Sequence, residues 1–125
     1  MILKQILLVG LGGAVGSIFR YLISRLTFSD KSWFAFPMAT FIVNLIGCFL
    51  IGLLIGLSYK QISFDHNLKL LLITGFCGGF TTFSAFSLES LQLYQSGHFL
   101  TLAGYILLSV ILGILLVWLG MLFVK

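Results

Sequence analysis

Charge is what this 125-residue sequence has least of: Asp, Glu, Lys and Arg make up 8% of it, against 60% hydrophobic residues, and the mean hydropathy is +1.19. A water-soluble domain is excluded, because such a domain keeps a polar exterior and about a quarter of its residues charged. Acidic residues and histidine are scarcer still, with two Asp, one Glu and two His, most of them between apolar runs. No catalytic constellation is present, and we expect no enzyme activity. The two cysteines, Cys48 and Cys77, lie inside apolar runs without a His or carboxylate at ligand spacing. They propose neither a zinc site nor a disulfide framework, and read as small core residues.

What is present is apolar sequence for four membrane spans, each needing about 20 residues, in a single transmembrane domain covering residues 1–125. The expected spans cover about residues 4–26, 34–58, 68–95 and 99–124. Lys4 before an apolar run imitates a secretion signal, but three more spans follow and glycine-rich packing begins at Gly10, so we read an uncleaved first helix. Trp33, Phe34 and Phe36 are aromatics suited to the headgroup level, and Pro37 suits the first turn of the second helix. In the third span, the run Gly75-Phe76-Cys77-Gly78-Gly79-Phe80-Thr81-Thr82 combines three glycines with two β-branched threonines. These are poor helix formers, and a broken helix is expected there. In a membrane a break is tolerable only where protein or a water-filled path satisfies the freed backbone groups.

The seven basic residues stand singly beside apolar runs, as interface anchors do, which argues against nucleic acid despite a net charge of +4. Four spans place Lys4, Lys60, Lys69 and Lys125 on one side and Arg20, Arg25 and Lys31 on the other, a count of four against three. That bias is too small to fix orientation. The chain is expected to insert both ways and to pair as an antiparallel, dual-topology homodimer, the inverted-repeat arrangement of many transport proteins. Four helices alone make a poor pore.

Uncharged polar residues inside the spans carry whatever chemistry there is. Thr40 and Asn44 stand one turn apart on the second span; Thr101, Tyr105 and Ser109 form a stripe on the fourth; Phe83, Phe86, Ser87, Ser90 and Tyr94 share a face of the third. Each set reads either as interhelical glue and packing or as the wall of a path. The polar groups are donors, with no carboxylate before Glu89, which favours an anion over a cation. Aromatic ring edges are electropositive and can meet a small anion without a full charge. Arg20 has two readings, a central anion site or an interfacial residue whose side chain snorkels to the headgroups. Gly12 and Gly16, like Gly52 and Gly56, form GxxxG spacings that indicate close packing.

Three motifs carry a resemblance. They are Gly12-Gly13-Ala14-Val15-Gly16-Ser17-Ile18-Phe19-Arg20-Tyr21, then Thr40-Phe41-Ile42-Val43-Asn44-Leu45-Ile46-Gly47, then Gly75-Phe76-Cys77-Gly78-Gly79-Phe80-Thr81-Thr82-Phe83-Ser84-Ala85-Phe86. Across essentially its whole length the chain resembles the Fluc (CrcB) family of fluoride channels, the third motif being the most specific. The resemblance implies a dual-topology homodimer in a bacterial inner membrane, contacted by lipid, with two fluoride pores and one central structural sodium ion. It implies a passive, fluoride-selective path along Asn44, Phe83, Phe86, Tyr105, Ser109, Thr40 and Thr82, with Glu89 near the pore mouth. It places sodium on the main-chain carbonyls of Gly78 and Thr81 from both subunits. Where some members carry another hydroxyl one turn beyond Ser109, this chain has Gly113. A four-helix proton-coupled multidrug transporter, the nearest rival, needs a carboxylate in its first span, and the first span here has none. A third reading is a structural subunit in which every polar residue is glue.

Overall fold

The computed structural model of the protein describes residues 1–27, 36–61 and 63–124. The expectations for Lys31, Trp33, Phe34 and Lys125, and for a second helix starting at residue 34, lie outside these residues. Among the described residues, the apolar runs form α1 (Ile2–Leu26), α2 (Met38–Lys60), α3 (residues 66–80), α4 (Phe83–Gln95) and α5 (Phe99–Phe123). Together, α3 and α4 make one apolar span, so four spans are long enough to cross a membrane.

Local sequence explains the boundaries. Pro37 sits at the N-cap, one residue outside α2 rather than in its first turn. Asp65 caps α3, its Oδ1 accepting from Leu68 N–H at 3.0 Å. Gly97, at φ 81°, ends α4 as only glycine does without strain: His98 N–H donates to Leu93 O at 2.9 Å and Gly97 N–H to Tyr94 O at 3.1 Å. Between Leu70 and Cys77 the backbone of α3 is π-helical, a feature no propensity in the sequence announced.

The departure from helix in the third span is confined to Thr81 (φ −87°, ψ 160°) and Thr82 (φ −149°, ψ 121°), both extended. Gly75, Gly78 and Gly79 are helical. Their cost in a helix, about 1 kcal/mol each relative to Ala, is offset at two of them by close approach of α1. A Cβ at Gly79 would lie 2.8 Å from Gly13 Cα, and one at Gly75 2.9 Å from Val9 O. Gly12 and Gly16 meet the Leu71 and Phe76 carbonyls in the same way. On the other side of the bundle, Gly52 and Gly120 let α2 and α5 touch backbone to backbone, and Gly56 makes room for the Val124 side chain. The result is two tightly packed pairs, α1 with α3 and α2 with α5, and α4 lies more loosely across α5.

Candidate functional site

Between the pairs opens a groove of about 530 Å³. Its walls come from α2 (Asn44, Gly47, Cys48), from α3 (Thr74, Cys77, Gly78), from the extended residues Thr81 and Thr82, and from Phe83, Phe86 and Ser109. None of the lining residues is charged. Cys77 is buried and Cys48 half-buried, each a small wall residue.

Asn44 organises the groove. Its Nδ2 donates to Thr82 O at 3.1 Å and its Oδ1 accepts from Thr82 N–H at 2.9 Å, the two-point pairing a neighbouring β-strand would give to an extended residue. Thr82 in turn begins α4, its Oγ1 accepting from Ala85 N–H at 3.2 Å. Thr81 is tied back to the end of α3, its N–H and Oγ1 both donating to Cys77 O. Its methyl group lies over Gly47, where any larger residue would displace it.

These substitutions leave particular carbonyls without their helical donors. A continuous helix would send Thr82 N–H to Gly78 O and Ala85 N–H to Thr81 O; the first goes to Asn44 and the second to the Thr82 hydroxyl. Gly78 and Thr81 both face the groove, and a Cβ at Gly78 would meet nothing within 4 Å. Two uncharged oxygens so placed are hard ligands suited to a hard monovalent cation.

The aromatic residues join this groove to a second cluster. The rings of Phe83 and Phe86 are 5.9 Å apart, and Phe83 is 79% exposed on the groove side. Phe86 also lies 5.0 Å from the ring of Tyr105. Tyr105 is fully buried, enclosed by Phe36, Phe41 and Phe86, and its hydroxyl donates to Glu89 Oε1 at 3.4 Å with Thr40 alongside. Glu89 opens into a small recess with Pro37, Gln92 and Ser96. The predicted residues thus fall into two adjoining groups: Asn44, Gly78, Thr81, Thr82, Phe83, Phe86 and Ser109 on the groove, and Thr40, Glu89 and Tyr105 behind it. The Thr101-Tyr105-Ser109 stripe is therefore divided.

Two contacts were not legible in the pattern. Arg20 Nε donates to Gly79 O at 3.1 Å, and Ser17 Oγ donates to the same oxygen at 3.4 Å. Arg20 is thus turned onto the main chain of the third span, which corrects the snorkelling reading. The available signal was its spacing from Gly13, Gly16 and Ser17, one stripe on α1.

Comparison with known proteins decides the lineage. The family described as CrcB-like protein, Camphor Resistance (CrcB), matches residues 7–121. The chain belongs to the CrcB family. A relative from Azobacteroides pseudotrichonymphae genomovar. CFP2, described as a fluoride-specific ion channel FluC, is 53% identical over 94% of each chain. Relatives with the same description from Methylobacillus flagellatus (46% identical, 97% of this chain and 94% of the other) and Leptospira interrogans (46% identical, 98% and 95%) are comparably similar. All three CrcB relatives align over nearly their whole length, so the groove described above falls within the shared region.

Proposed function

We propose that this CrcB protein is a fluoride-selective channel that lets fluoride leave the cell passively and so lowers its cytoplasmic concentration. The observation that carries the reading is 53% identity over 94% of both chains with a relative described as a fluoride-specific ion channel. The groove's chemistry agrees with it. Fluoride would exchange water for the second N–H of the Asn44 amide, the hydroxyls of Thr82 and Ser109 and the edges of Phe83 and Phe86, with the Thr40, Tyr105 and Glu89 cluster continuing the path towards the mouth. A narrow path rich in donors favours fluoride over the larger chloride. Fluoride enters as neutral HF and is trapped as the anion; an interior-negative potential then favours its exit by about 2.3 kcal/mol per 100 mV. No energy source is required.

The working unit in this reading is an antiparallel homodimer with two pores in a bacterial inner membrane. Two observations support a second copy on the groove: it is open to the outside of the single chain, and Gly78 has free space where a side chain would stand. A break at Thr81 and Thr82 would then lie between two copies, and Gly78 and Thr81 of both would offer four carbonyls to one structural sodium ion. When bound, that ion would supply positive charge to hold the two breaks together.

Fluoride efflux from liposomes containing the purified protein, followed with a fluoride electrode under a valinomycin-set potassium potential, tests the reading. Fast fluoride release without chloride release is expected. No fluoride release from folded dimer would overturn it.

A further inference from the structure

We infer that Arg20 is a positioning residue that holds the end of α3 against α1 by bonding the Gly79 carbonyl, and that it does not bind the transported anion; the transport part of this inference rests on the channel reading above.

The end of α3 needs such a partner. Where the helix stops at Phe80, its last carbonyls lose the donors that the next turn would supply, and together they form the negative end of a helix dipole inside the bilayer. The carbonyl of Gly79 would have accepted from Phe83 N–H, but Phe83 now begins α4 on the far side of two extended residues. Because Gly79 has no side chain, α1 comes close enough for its own side chains to take over. Ser17 and Arg20, three residues apart on one face, both point donors at that single oxygen. A carbonyl has two lone pairs, so both bonds are accommodated.

The arrangement separates Arg20 from the ion path. Gly78 and Thr81 line the groove, whereas Arg20 and Ser17 do not, and Arg20 reaches the intervening residue from the α1 side. A donor placed there fixes the direction of the Gly79 carbonyl and of the peptide groups joined to it. Asn44 does the complementary work from α2 on Thr82. The break is therefore flanked by two side-chain anchors, the Asn44 amide on Thr82 and the Arg20 guanidinium on Gly79.

The covalent structure of the side chains provides the test. In Gln, Nε2 stands four bonds from Cα, as Nε does in Arg, so Arg20→Gln keeps an N–H donor at the same reach and removes the charge. Arg20→Met removes both at similar volume. For folded, reconstituted protein we expect Arg20→Gln to keep fluoride flux within about threefold of the parent, with the half-saturating fluoride concentration unchanged, and Arg20→Met to lower maximal flux by about tenfold or more. A rise of about fivefold or more in half-saturating fluoride for Arg20→Gln would make Arg20 an anion ligand and overturn the inference. Native flux in Arg20→Met would overturn it as well. Should Arg20→Met not fold, the Gln variant alone decides between these outcomes.

A second readout is independent of transport. The chain has two Gly-Phe pairs, Gly75-Phe76 and Gly79-Phe80, so glycine carbonyl ¹³C combined with phenylalanine ¹⁵N labelling yields two NMR signals. The Gly79 signal should move in Arg20→Met and hold its place in Arg20→Gln. An unmoved signal in Arg20→Met overturns the contact. A moved signal in a parent protein that carries no fluoride would overturn the channel reading and leave the contact standing.

Discussion

Asn44 pairs with both main-chain groups of Thr82, giving an N–H to its carbonyl at 3.1 Å and taking its N–H at 2.9 Å, across 38 residues of sequence. A carboxamide can do both at once, whereas an ionised carboxylate can only accept. This makes position 44 sensitive to a change of a single atom.

Asn44→Asp keeps the acceptor for Thr82 N–H but sets a carboxylate oxygen against Thr82 O, and places a negative charge on the groove. We expect fluoride flux to fall by about tenfold or more, and thermal stability in detergent to drop by about 1–3 kcal/mol. Liposome efflux and melting curves measure the two effects separately. Native flux in this variant would remove Asn44 from the pathway.

Phe83 contributes little to packing within one chain, being largely exposed on the groove. Phe83→Ile is therefore expected to leave helix content unchanged by circular dichroism while lowering fluoride flux by about tenfold or more. Equal flux would reduce Phe83 to a lipid- or partner-facing residue.

Glycines on α1 divide by what lies beside them. A Cβ at Gly12 would fall on the Leu71 carbonyl, whereas one at Gly10 meets nothing within 4 Å. Gly12→Ala should cost about 1–3 kcal/mol through forced separation of α1 and α3, and Gly10→Ala should be neutral or stabilise by about 0.5–1 kcal/mol through helix propensity. Melting temperatures of the two variants, compared side by side, check the expectation.

Gly78 tests the second copy. Ala fits the single chain there, and helix propensity favours it by about 1 kcal/mol. If two copies meet over the groove, Gly78→Ala separates them: elution in detergent shifts from dimer to single chain and fluoride flux is lost. Native elution and flux would show that the groove is not covered at this point.

The four spans were legible because hydropathy is carried by composition, and their approximate ends were legible from the polar joints between them. The interior of the third span was less so. Gly75, Gly78 and Gly79 read as helix breakers, yet they are helical, since α1 approaches closely enough at Gly75 and Gly79 to offset their cost, and a sequence does not display that approach. Periodicity placed Thr101, Tyr105 and Ser109 on one face, but it contains nothing about which part of that face neighbours close; Phe36, Phe41 and Phe86 enclose Tyr105 and leave Ser109 on the groove. Arg20 presented two readings because its partner is a main-chain oxygen 59 residues away. A backbone acceptor leaves no mark in residue identity.

The side chains that other spans send to Thr82 and to the Gly79 carbonyl are Asn44, Ser17 and Arg20, and all three precede Thr81 in the chain. Synthesis runs from the N-terminus, so α1 and α2 are made before the third span leaves the ribosome. The main-chain groups of Thr82 and the carbonyl of Gly79, which hydrocarbon would penalise, thus enter a membrane where their partners already stand. The order of the spans along the chain is itself suited to inserting a non-helical pair of residues at mid-membrane.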